Sequence, residues 1–440
     1  MFAAHAAVFA VVLFSVAPRS LFAGFAGLFF MTAAGALLIP WSMTWLFRLA
    51  EPVAERGFGI PGSLAVRGVP ASLSRTGVAA AALSVAVATV IGVGVMIGSF
   101  RTSLEEWLNV TLLADIYLGI EESYGAVESP FDDTSVGAIA ALPGVAGTSV
   151  ARFVRLPTSA GDLGLRAIEP GPQGWGLTIM GPSPDRAVAQ MENGNGILVS
   201  EPLAFRRQLT MGDELVLPTA DGEVSFPILG IFRDYRTDGG GVLMTRDLYR
   251  FHWRDEQIDG VGVYFADSAD RVSTLAAIRS LFVSTPNMRV RSNDLIRVRS
   301  LALFDRTFKI TEVLRILAGL VAFLGLLSAL MSIELERARE IAILRALGLT
   351  PRQIGILTLT QTGLLGLAAG LLAVPLGVMM AAALVSIINV RSFGWTMELE
   401  VGPAPLLLGL GLAVGASLLA GIYPAKRAAV QSVAARLREE

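Results

Sequence analysis

The sequence predicts an α-helical membrane protein: six transmembrane helices plus one extracytoplasmic α+β domain placed between the third and the fourth. Three observations lead there. Long apolar runs gather near both ends of the 440 residues, while the stretch from 101 to 309 has ordinary globular composition. Arginine and lysine concentrate in alternate short loops. Within the middle stretch, β-like runs alternate with segments of helical period. The whole chain is 53% hydrophobic and only 16% charged, against about a quarter charged in soluble domains.

Five segments are long and apolar enough to cross a hydrocarbon layer of roughly 30 Å, which takes about 20 residues. They are Leu21–Leu46, Gly77–Phe100, Leu314–Met331, Ile354–Val390 and Pro405–Tyr423. A sixth, Phe2–Ala17, is shorter. Ser15-Val16-Ala17 resembles a small-residue cleavage site, but no positive n-region precedes it and Pro18 follows directly, so a span is the better reading than a signal peptide. Gly94 and Gly98, Gly366 and Gly370, and Gly411 and Gly415 form three GxxxG pairs of the kind that lets helices approach closely in lipid. Carboxylates are missing from the middle of the spans, which argues against an ion-coupled transporter.

Orientation follows from the basic residues. Arg48, Arg56, Arg67 and Arg75 lie between the second and third spans. Arg337, Arg339, Arg345 and Arg352 follow the fourth, and Lys426, Arg427, Arg436 and Arg438 follow the sixth. The opposite loops offer only Arg19 and Arg391. Both termini are therefore expected inside and residues 101–309 outside.

The external stretch opens with Leu104, Trp107, Leu108 and Leu112 at helical spacing and closes with Leu301, Phe304 and Phe308, a stalk whose apolar stripes pack together. Between them, strands are expected at Asp115–Ile120, Thr148–Leu156, Ile197–Ser200, Glu214–Pro218, Val224–Phe232, Gly241–Thr245 and Val261–Phe265. Helices are expected at Ser135–Leu142 and Ala269–Leu281. The acidic pairs Glu121-Glu122 and Asp132-Asp133 read as turns and solvated helix starts rather than catalytic carboxylates. Gly239-Gly240-Gly241 precedes a strand and lacks the helix N-terminus that a phosphate loop needs.

Several chemistries are excluded. There is no cysteine, so thiolate catalysis, disulfides and Cys-ligated metals are absent. His5 and His252 are the only histidines and make no metal pair. A net charge of −2 carries no basic stripe for nucleic acid. The only lysines, Lys309 and Lys426, follow Phe308 and Ala425, so neither is the lysine of a Walker A loop. No catalytic motif remains, and no enzyme activity is expected of this polypeptide alone.

The loop after the fourth span, 334–353, carries the functional signal. Its helix is stopped by Gly348, suited to the left-handed C′ position. Thr350 then caps a new helix, with Pro351 in its first position and Gln353 completing a capping box. Ile341, Ile343, Leu344 and Leu347 share one face, and Arg337 and Glu340 fall within it. Charges inside an apolar face suit a protein groove offering polar partners, and suit an interfacial helix resting on headgroups less well.

The segment 336–354, Glu336-Arg-Ala-Arg-Glu-Ile-Ala-Ile-Leu-Arg-Ala-Leu-Gly-Leu-Thr-Pro-Arg-Gln-Ile354, resembles the signature loop of the FtsX/MacB-like ABC transporter permease family. The stretches 64–77 and 423–429 (Tyr-Pro-Ala-Lys-Arg-Ala-Ala) resemble the elbow and the C-terminal end of the same family. Leu142-Pro-Gly-Val145 and residues 196–245 resemble its periplasmic domain. The family core has one span, an external domain and three more spans, which residues 77–423 supply. Two further spans precede it here, so the chain resembles the C-terminal half of a duplicated FtsX-like permease.

The resemblance implies an organisation. Residues 1–50 are two linking spans, 51–76 a cytoplasmic elbow, 77–100 the first core span and 101–309 a MacB-like extracytoplasmic domain with a helical stalk. Residues 310–425 form a three-span permease domain containing a coupling helix at 335–349, and 426–440 a cytoplasmic tail. It also implies ATPase coupling through Arg337, Arg339, Glu340, Ile341, Leu344, Arg345, Gly348, Pro351 and Arg352. The expected function is the permease subunit of an ABC transporter in a bacterial inner membrane, exporting or extracting a lipidic, lipoprotein or peptide substrate. The alternative is a transmembrane relay that transports nothing and activates an extracytoplasmic cell-wall hydrolase or sensor. Expected partners are an ABC ATPase subunit, a second permease unit or homodimer copy, the lipid bilayer and an extracytoplasmic protein. No cofactor is expected on the chain itself, since ATP and magnesium belong to the ATPase.

Overall fold

The computed structural model describes the backbone of residues 1–16, 19–120, 131–159, 161–236, 239–283, 288–346 and 348–430, and side chains outside 53–54, 57–65, 71–76, 120, 312, 314–315, 318, 322, 326, 329–330, 332–342, 344–346 and 427–430. Helices α1 (Phe2–Val16) and α2 (Leu21–Thr111) come first. They are followed by β1 (Ile116–Ile120), α3 (Asp133–Ala140), β2 (Val145–Thr158), β3 (Gly161–Glu169), β4 (Ile179–Met180) and α4 (Pro184–Glu192). Next come β5 (Ile197–Ser200), α5 (Glu201–Arg207), β6 (Glu214–Thr219), β7 (Gly222–Phe232), β8 (Gly241–Thr245), α6 (Arg246–Trp253), β9 (Gly260–Phe265), α7 (Arg271–Leu281) and β10 (Met288–Ser292). The chain closes with α8 (Asn293–Ala346), α9 (Pro351–Ala383), a π-helical segment Leu384–Asn389, α10 (Val390–Phe393) and α11 (Pro403–Val430). Two compact units result. One holds Met1–Phe100, Arg306–Arg391 and Met397–Glu440; the other holds Arg101–Asp305 and Ser392–Thr396.

Among its described residues, the first unit contains helices and no strand. Its backbone is helical throughout α2, yet a Cβ built on Gly77 would lie 3.4 Å from Pro40 Cβ. Along a straight helix those residues would be about 55 Å apart. The chain must therefore reverse within α2, and an ion pair between Arg67 and Glu51 brackets the reversal. Pro52, Pro61 and Pro70 fall in this region, where each removes a helical N–H and favours a kink. The arrangement accounts for the two separate apolar runs expected at 21–46 and 77–100.

What holds the bundle together is small side chains in register. Ala80, Ser84, Ala88 and Gly92 repeat every four residues on α2, and Ala369, Ala373, Gly377 and Ala381 do the same on α9; all eight are buried. Ser84 Oγ donates to Ala369 O at 3.1 Å. A Cβ on Gly377 would meet Ile91 Cβ at 2.8 Å and Ala88 O at 2.9 Å, and one on Gly92 would meet Gly377 O at 3.1 Å. Between lipid-embedded helices the hydrophobic effect is nearly neutral, so this close backbone approach is the main source of cohesion. Matching 84 with 369 and 92 with 377 makes the two helices parallel. Gly35 lies against Leu376 and Gly24 against Ile388, so the first half of α2 is antiparallel to α9; Gly366 lies against Ser417 and Gly421 against Thr362, so α11 is antiparallel as well. These directions alternate as a chain that repeatedly crosses a layer requires.

Six spans were expected. Among the described residues, four helices are long and apolar enough to cross a membrane: Leu21–Pro52, Gly77–Thr111, Pro351–Phe393 and Pro403–Lys426. The first expected span forms the helix Phe2–Val16, whose 15 residues fall short of the 20 or so a crossing takes. Leu314–Met331 lies inside α8, where several side chains fall outside the described residues.

In the second unit, ten strands form one mixed sheet ordered β10-β1-β9-β2-β3-β8-β5-β7-β4, with β6 paired to β7. Every pairing is antiparallel except β3–β8 and β5–β7. Ile116, Leu118, Val150, Val261 and Val263 turn one side of the β1-β9-β2 region into a core with Ile139 of α3 and Ile278 of α7. A second core joins Leu163, Leu165, Ile197, Val199, Phe226, Val242 and Tyr249. The stalk is closed at its top by Asn293, whose Nδ2 donates to Leu112 O at 2.7 Å and Ala114 O at 3.1 Å; Leu108 and Phe304 are buried. Asp132 is the N-cap of α3 in a capping box with Ser135, and Glu121-Glu122 lie outside the described residues. Gly240 is left-handed at φ +72° and Gly241 N donates to Ser200 Oγ at 2.7 Å, so this glycine run enters a strand.

Candidate functional site

The turn between α8 and α9 is built from backbone requirements. Gly348 has φ +100°, a conformation that costs glycine little and other residues more. Thr350 then starts α9: Gln353 N donates to Thr350 Oγ1 at 3.3 Å, and Thr350 N donates back to Gln353 Oε1 at 2.8 Å. Pro351 occupies the first turn, where its missing N–H costs nothing. Gly348 and Pro351 are exposed, as is Arg352. On the other side of the turn, the helical backbone continues without a break from Asn293 to Ala346. A short separate helix was expected at 335–349; residues 335–346 instead continue α8, and Gly348 lies in the turn that follows. The side chains of Arg337, Arg339, Glu340, Ile341, Leu344 and Arg345 lie outside the described residues. Ile343 of the same face is 54% exposed.

The three GxxxG pairs differ in their surroundings. Cβ atoms on Gly366 and Gly370 would meet α11 at Ser417 Oγ (2.3 Å) and Leu410 Cδ1 (2.8 Å). Gly411 and Gly415 of α11 have nothing within 4 Å of their Cβ positions, and neither has Gly98; Gly94 is half-buried. Of these glycines, Gly366 and Gly370 lie at a close helix crossing, and Gly98, Gly411 and Gly415 do not. On α11 the contact is made by Ala413 and Ser417, because these lie on the face turned towards α9. Gly411 and Gly415 instead line a groove of about 870 Å³ between residues 83–90 of α2, 316–323 of α8 and 407–419 of α11. All its described lining residues are apolar, and Ile316, Leu317, Leu320, Val321 and Leu324 of α8 are exposed.

Two further ties were not singled out from the sequence. Arg391 donates through Nη2 to Phe14 O at 2.7 Å and through Nη1 to Ser20 O at 2.9 Å, placing a cation at the C-terminal end of α1, where the helix dipole favours it. Residues 392–396 join α10 to the approach of α11 and belong to the sheet-containing unit. There Tyr235 Oη donates to Thr396 O at 2.8 Å, Trp395 stacks on Phe393 and meets Tyr235 edge-on, and Gly394 (φ +81°) lies against Pro202. An isolated Arg or a Gly-Trp pair in a loop carries no sequence signal of such contacts.

Among the described residues of the sheet-containing unit, the buried Arg166, Asp234, Arg246 and Asp259 belong to ion-pair networks, whereas the buried Glu201 Oε2 has no hydrogen-bond partner. Arg152 meets Asp255 at 2.9 Å and Asp259 at 2.8 Å, and Arg166 meets Asp234 at 2.9 Å. Burial raises Asp234 above the usual carboxylate range, with Arg166 pulling the other way. Arg246 meets Asp133 at 3.0 Å and Glu169 at 3.4 Å. No group of three or more His, Asp or Glu suited to a metal occurs among the described residues.

Comparison with known proteins places these features. Residues 313–433 match the family described as FtsX-like permease C-terminal. The chain is 36% identical over 449 aligned positions to an uncharacterised ABC transporter permease protein, Rv0987, of Mycobacterium tuberculosis; the match covers 98% of this chain and 51% of the relative. It is 33% identical over 121 positions to the lipoprotein-releasing system transmembrane protein LolC of Haemophilus influenzae, 27% of this chain and 31% of that one. The chain thus spans about half the length, or less, of these curated relatives. Two solved structures align with it at low similarity. They are the periplasmic region of MacB from Actinobacillus actinomycetemcomitans (TM-score 0.33, 10% identity, 44% of this chain, 94% of that chain) and the extracellular domain of the ABC-type transporter YknZ from Gram-positive bacteria (TM-score 0.29, 13% identity, 40% and 99%). The chain is homologous to an ABC transporter permease along 98% of its length, and its residues 313–433 match the FtsX-like permease C-terminal family.

Proposed function

We propose that this chain works as a membrane subunit of an ABC transporter, coupling ATP hydrolysis by a separate ATPase subunit to export or extraction of a lipidic, lipoprotein or peptide substrate. The turn from Gly348 to Gln353 carries the reading. It joins α8, which continues from the stalk, to α9, the helix against which both halves of α2 and α11 pack. A push on this turn is therefore a push on the helix that organises the bundle. Arg337, Arg339, Glu340, Ile341, Leu344, Arg345 and Arg352 are assigned to the ATPase contact, with Gly348 and Pro351 shaping it. The apolar groove supports a substrate with an apolar part, and the bare face of α8 supports a second permease unit as partner. ATP and magnesium belong to the ATPase chain. In the test, the chain is reconstituted with its cognate ATPase carrying Glu340→Ala or Arg345→Ala. Loss of complex formation and of stimulated hydrolysis is expected, and survival of both in both variants overturns the assignment.

The arginine and lysine bias supports an inner-membrane orientation with both termini cytoplasmic and residues 101–309 outside. The chain has no cysteine, so Asp162→Cys introduces a single thiol on an exposed hairpin. Labelling by an impermeant maleimide from outside intact cells is expected; labelling only after lysis sinks the orientation. The second reading, a relay to an extracytoplasmic hydrolase or sensor, is favoured by one observation. Residues 392–396 belong to the sheet-containing unit, so both the stalk and this strap join it to the helices.

A further inference from the structure

In the sheet-containing unit, α4 covers one side of the sheet at β5, β7 and β8, whereas the β1-β9-β2 region has one side packed and the other hollow. Ile116, Leu118, Val150, Val261 and Val263 face the α3/α7 core. Their alternate neighbours face the other way, because successive strand residues point to opposite sides. Across three adjacent strands these neighbours are small: Gly119 pairs with Gly260, Gly260 with Ala151, and Gly262 with Ser149. A glycine inside a strand weakens it and often marks a place where something else approaches the backbone. Packing does not demand two of these glycines. A Cβ on Gly119 would have no neighbour closer than 3.4 Å, and one on Gly260 none closer than 3.5 Å. The hollow is therefore sequence-encoded space.

Around it stands a rim of large side chains. Tyr117, Phe153 and Tyr264 project from the same strands, and Arg166 and Arg291 sit opposite Phe153 and Tyr117 on β3 and β10. Residues 170–177 form the far wall and are built for the position. Gly171 lies where a Cβ would strike the Tyr264 ring at 2.2 Å; Gly176 has φ +60° with Val110 O 2.8 Å from its Cβ position. Trp175 is anchored by its Nε1 donating to Glu192 at 2.8 Å. The half-open cavity is about 610 Å³, within the range of small-molecule sites. Its described lining includes three guanidiniums, Arg166, Arg236 and Arg291; one carboxylate, Asp234, is shared by Arg166 at 2.9 Å and Arg236 at 3.5 Å, and the lining carboxylate Asp259 is held by Arg152 at 2.8 Å. Arg236 also lies over the Phe153 ring at 5.9 Å.

We infer that this cavity is a binding site for an amphiphilic anion, a ligand with one acidic head and a flat apolar body. The body lies on the glycine floor between the aromatic rings, and the head meets Arg236 and Arg291 at the rim. Guanidinium is the group best matched to an acidic head, giving paired charge-assisted hydrogen bonds. The site is built from residues of the sheet-containing unit alone, so it holds or fails independently of the transport reading.

The test uses the full chain in phosphatidylcholine nanodiscs and two probes of like shape, 8-anilinonaphthalene-1-sulfonate and its uncharged counterpart N-phenyl-1-naphthylamine. Equilibrium dialysis, with empty nanodiscs subtracted, reads saturable binding. Both probes are expected to bind at one site. Arg236→Gln and Arg291→Gln each weaken the sulfonate by about tenfold, the loss of about 1.4 kcal/mol, and leave the neutral probe unchanged. Ala151→Leu fills the floor and removes both, with thermal unfolding used to verify that the variant is folded. Absence of a saturable site overturns the inference. So does a site indifferent to Ala151→Leu, or a sulfonate affinity that survives both arginine changes; these would place any binding elsewhere.

Discussion

Arg152→Met tests how the sheet-containing unit is held together. Arg152 is 13% exposed in its side chain and Asp259 only 3%, and Nη1 meets Oδ1 at 2.8 Å. Methionine keeps much of the apolar stem but leaves Asp259 buried without its cation. Breaking such a pair costs about 3–5 kcal/mol. The lower end applies here, because Asp259 Oδ2 still accepts from Phe153 N at 2.7 Å and Asp255 retains the Tyr249 hydroxyl at 2.7 Å. For a unit of this size, about 3 kcal/mol lowers Tm by about 6–12 °C. Scanning fluorimetry of the full chain in nanodiscs reads this through the tryptophans, of which Trp107, Trp175, Trp253 and Trp395 lie in the sheet-containing unit. The pH dependence identifies the cause. Burial raises Asp259 above its ordinary 3.8, opposed by the Phe153 N–H and by Arg152; without the arginine it rises further. A carboxyl with a raised folded pKa holds its proton longer when folded than when unfolded. Stability therefore falls as pH climbs from 3.8 through the folded value. The variant's deficit should be small below pH 4 and complete at pH 7, and adding Asp259→Asn should recover much of it. A deficit equal at both pH values, or no recovery in the double variant, refutes the reasoning.

Two other perturbations have defined outcomes. Gly377→Val places a branched side chain where Ile91 Cβ stands 2.8 Å from the Cβ position. It should destabilise the bundle by about 1–3 kcal/mol or more. Gly415→Val, with nothing within 4 Å, should stay within about 0.5 kcal/mol; denaturant unfolding in bicelles compares them, and equal effects count against the crossing. Asp133 is held below its ordinary 3.8 first by the hydrogen bond from Arg246, against a smaller opposing effect of burial, and by Arg250. Its contribution is present above 3.8 and is lost as pH falls through the depressed folded value. The Tm gap between the native chain and Asp133→Asn should close on acidification, and a constant gap would assign the effect to packing.

Elements with a strong local pattern were legible. Ile197–Ser200 and Gly241–Thr245 are apolar runs bounded by turns, and both strands have those bounds in the structure. The Gly348–Gln353 turn is a local matter of φ and capping, so a few residues specify it. Other elements were not anticipated. β3 reads Gly-Asp-Leu-Gly-Leu-Arg-Ala-Ile-Glu and β10 Met-Arg-Val-Arg-Ser. Their glycines and charges conceal the alternation, and each becomes a strand because a partner lies beside it. β10 pairs with β1 across some 170 residues of chain, Ile116 opposite Ser292. Arg166 looks like a solvated charge in sequence, yet it is buried against Asp234.

Among the GxxxG pairs, sequence alone marked Gly94/Gly98, Gly366/Gly370 and Gly411/Gly415 as equals. An Ala- and Gly-rich helix offers small residues on every face, and only the neighbouring helix decides which face is buried. The tertiary structure turned Gly366, Gly370 and Gly377 inward and left Gly411 and Gly415 on a groove. By itself, the sequence determined what depends on solvent transfer and local backbone geometry: apolar runs, a bias of basic residues between alternate loops, and a capped turn between α8 and α9. Register, the reversal within α2 and the hollow face of the sheet depend on contacts between residues far apart in the chain. Their energies exist only once those residues meet, and so only the tertiary structure could decide them.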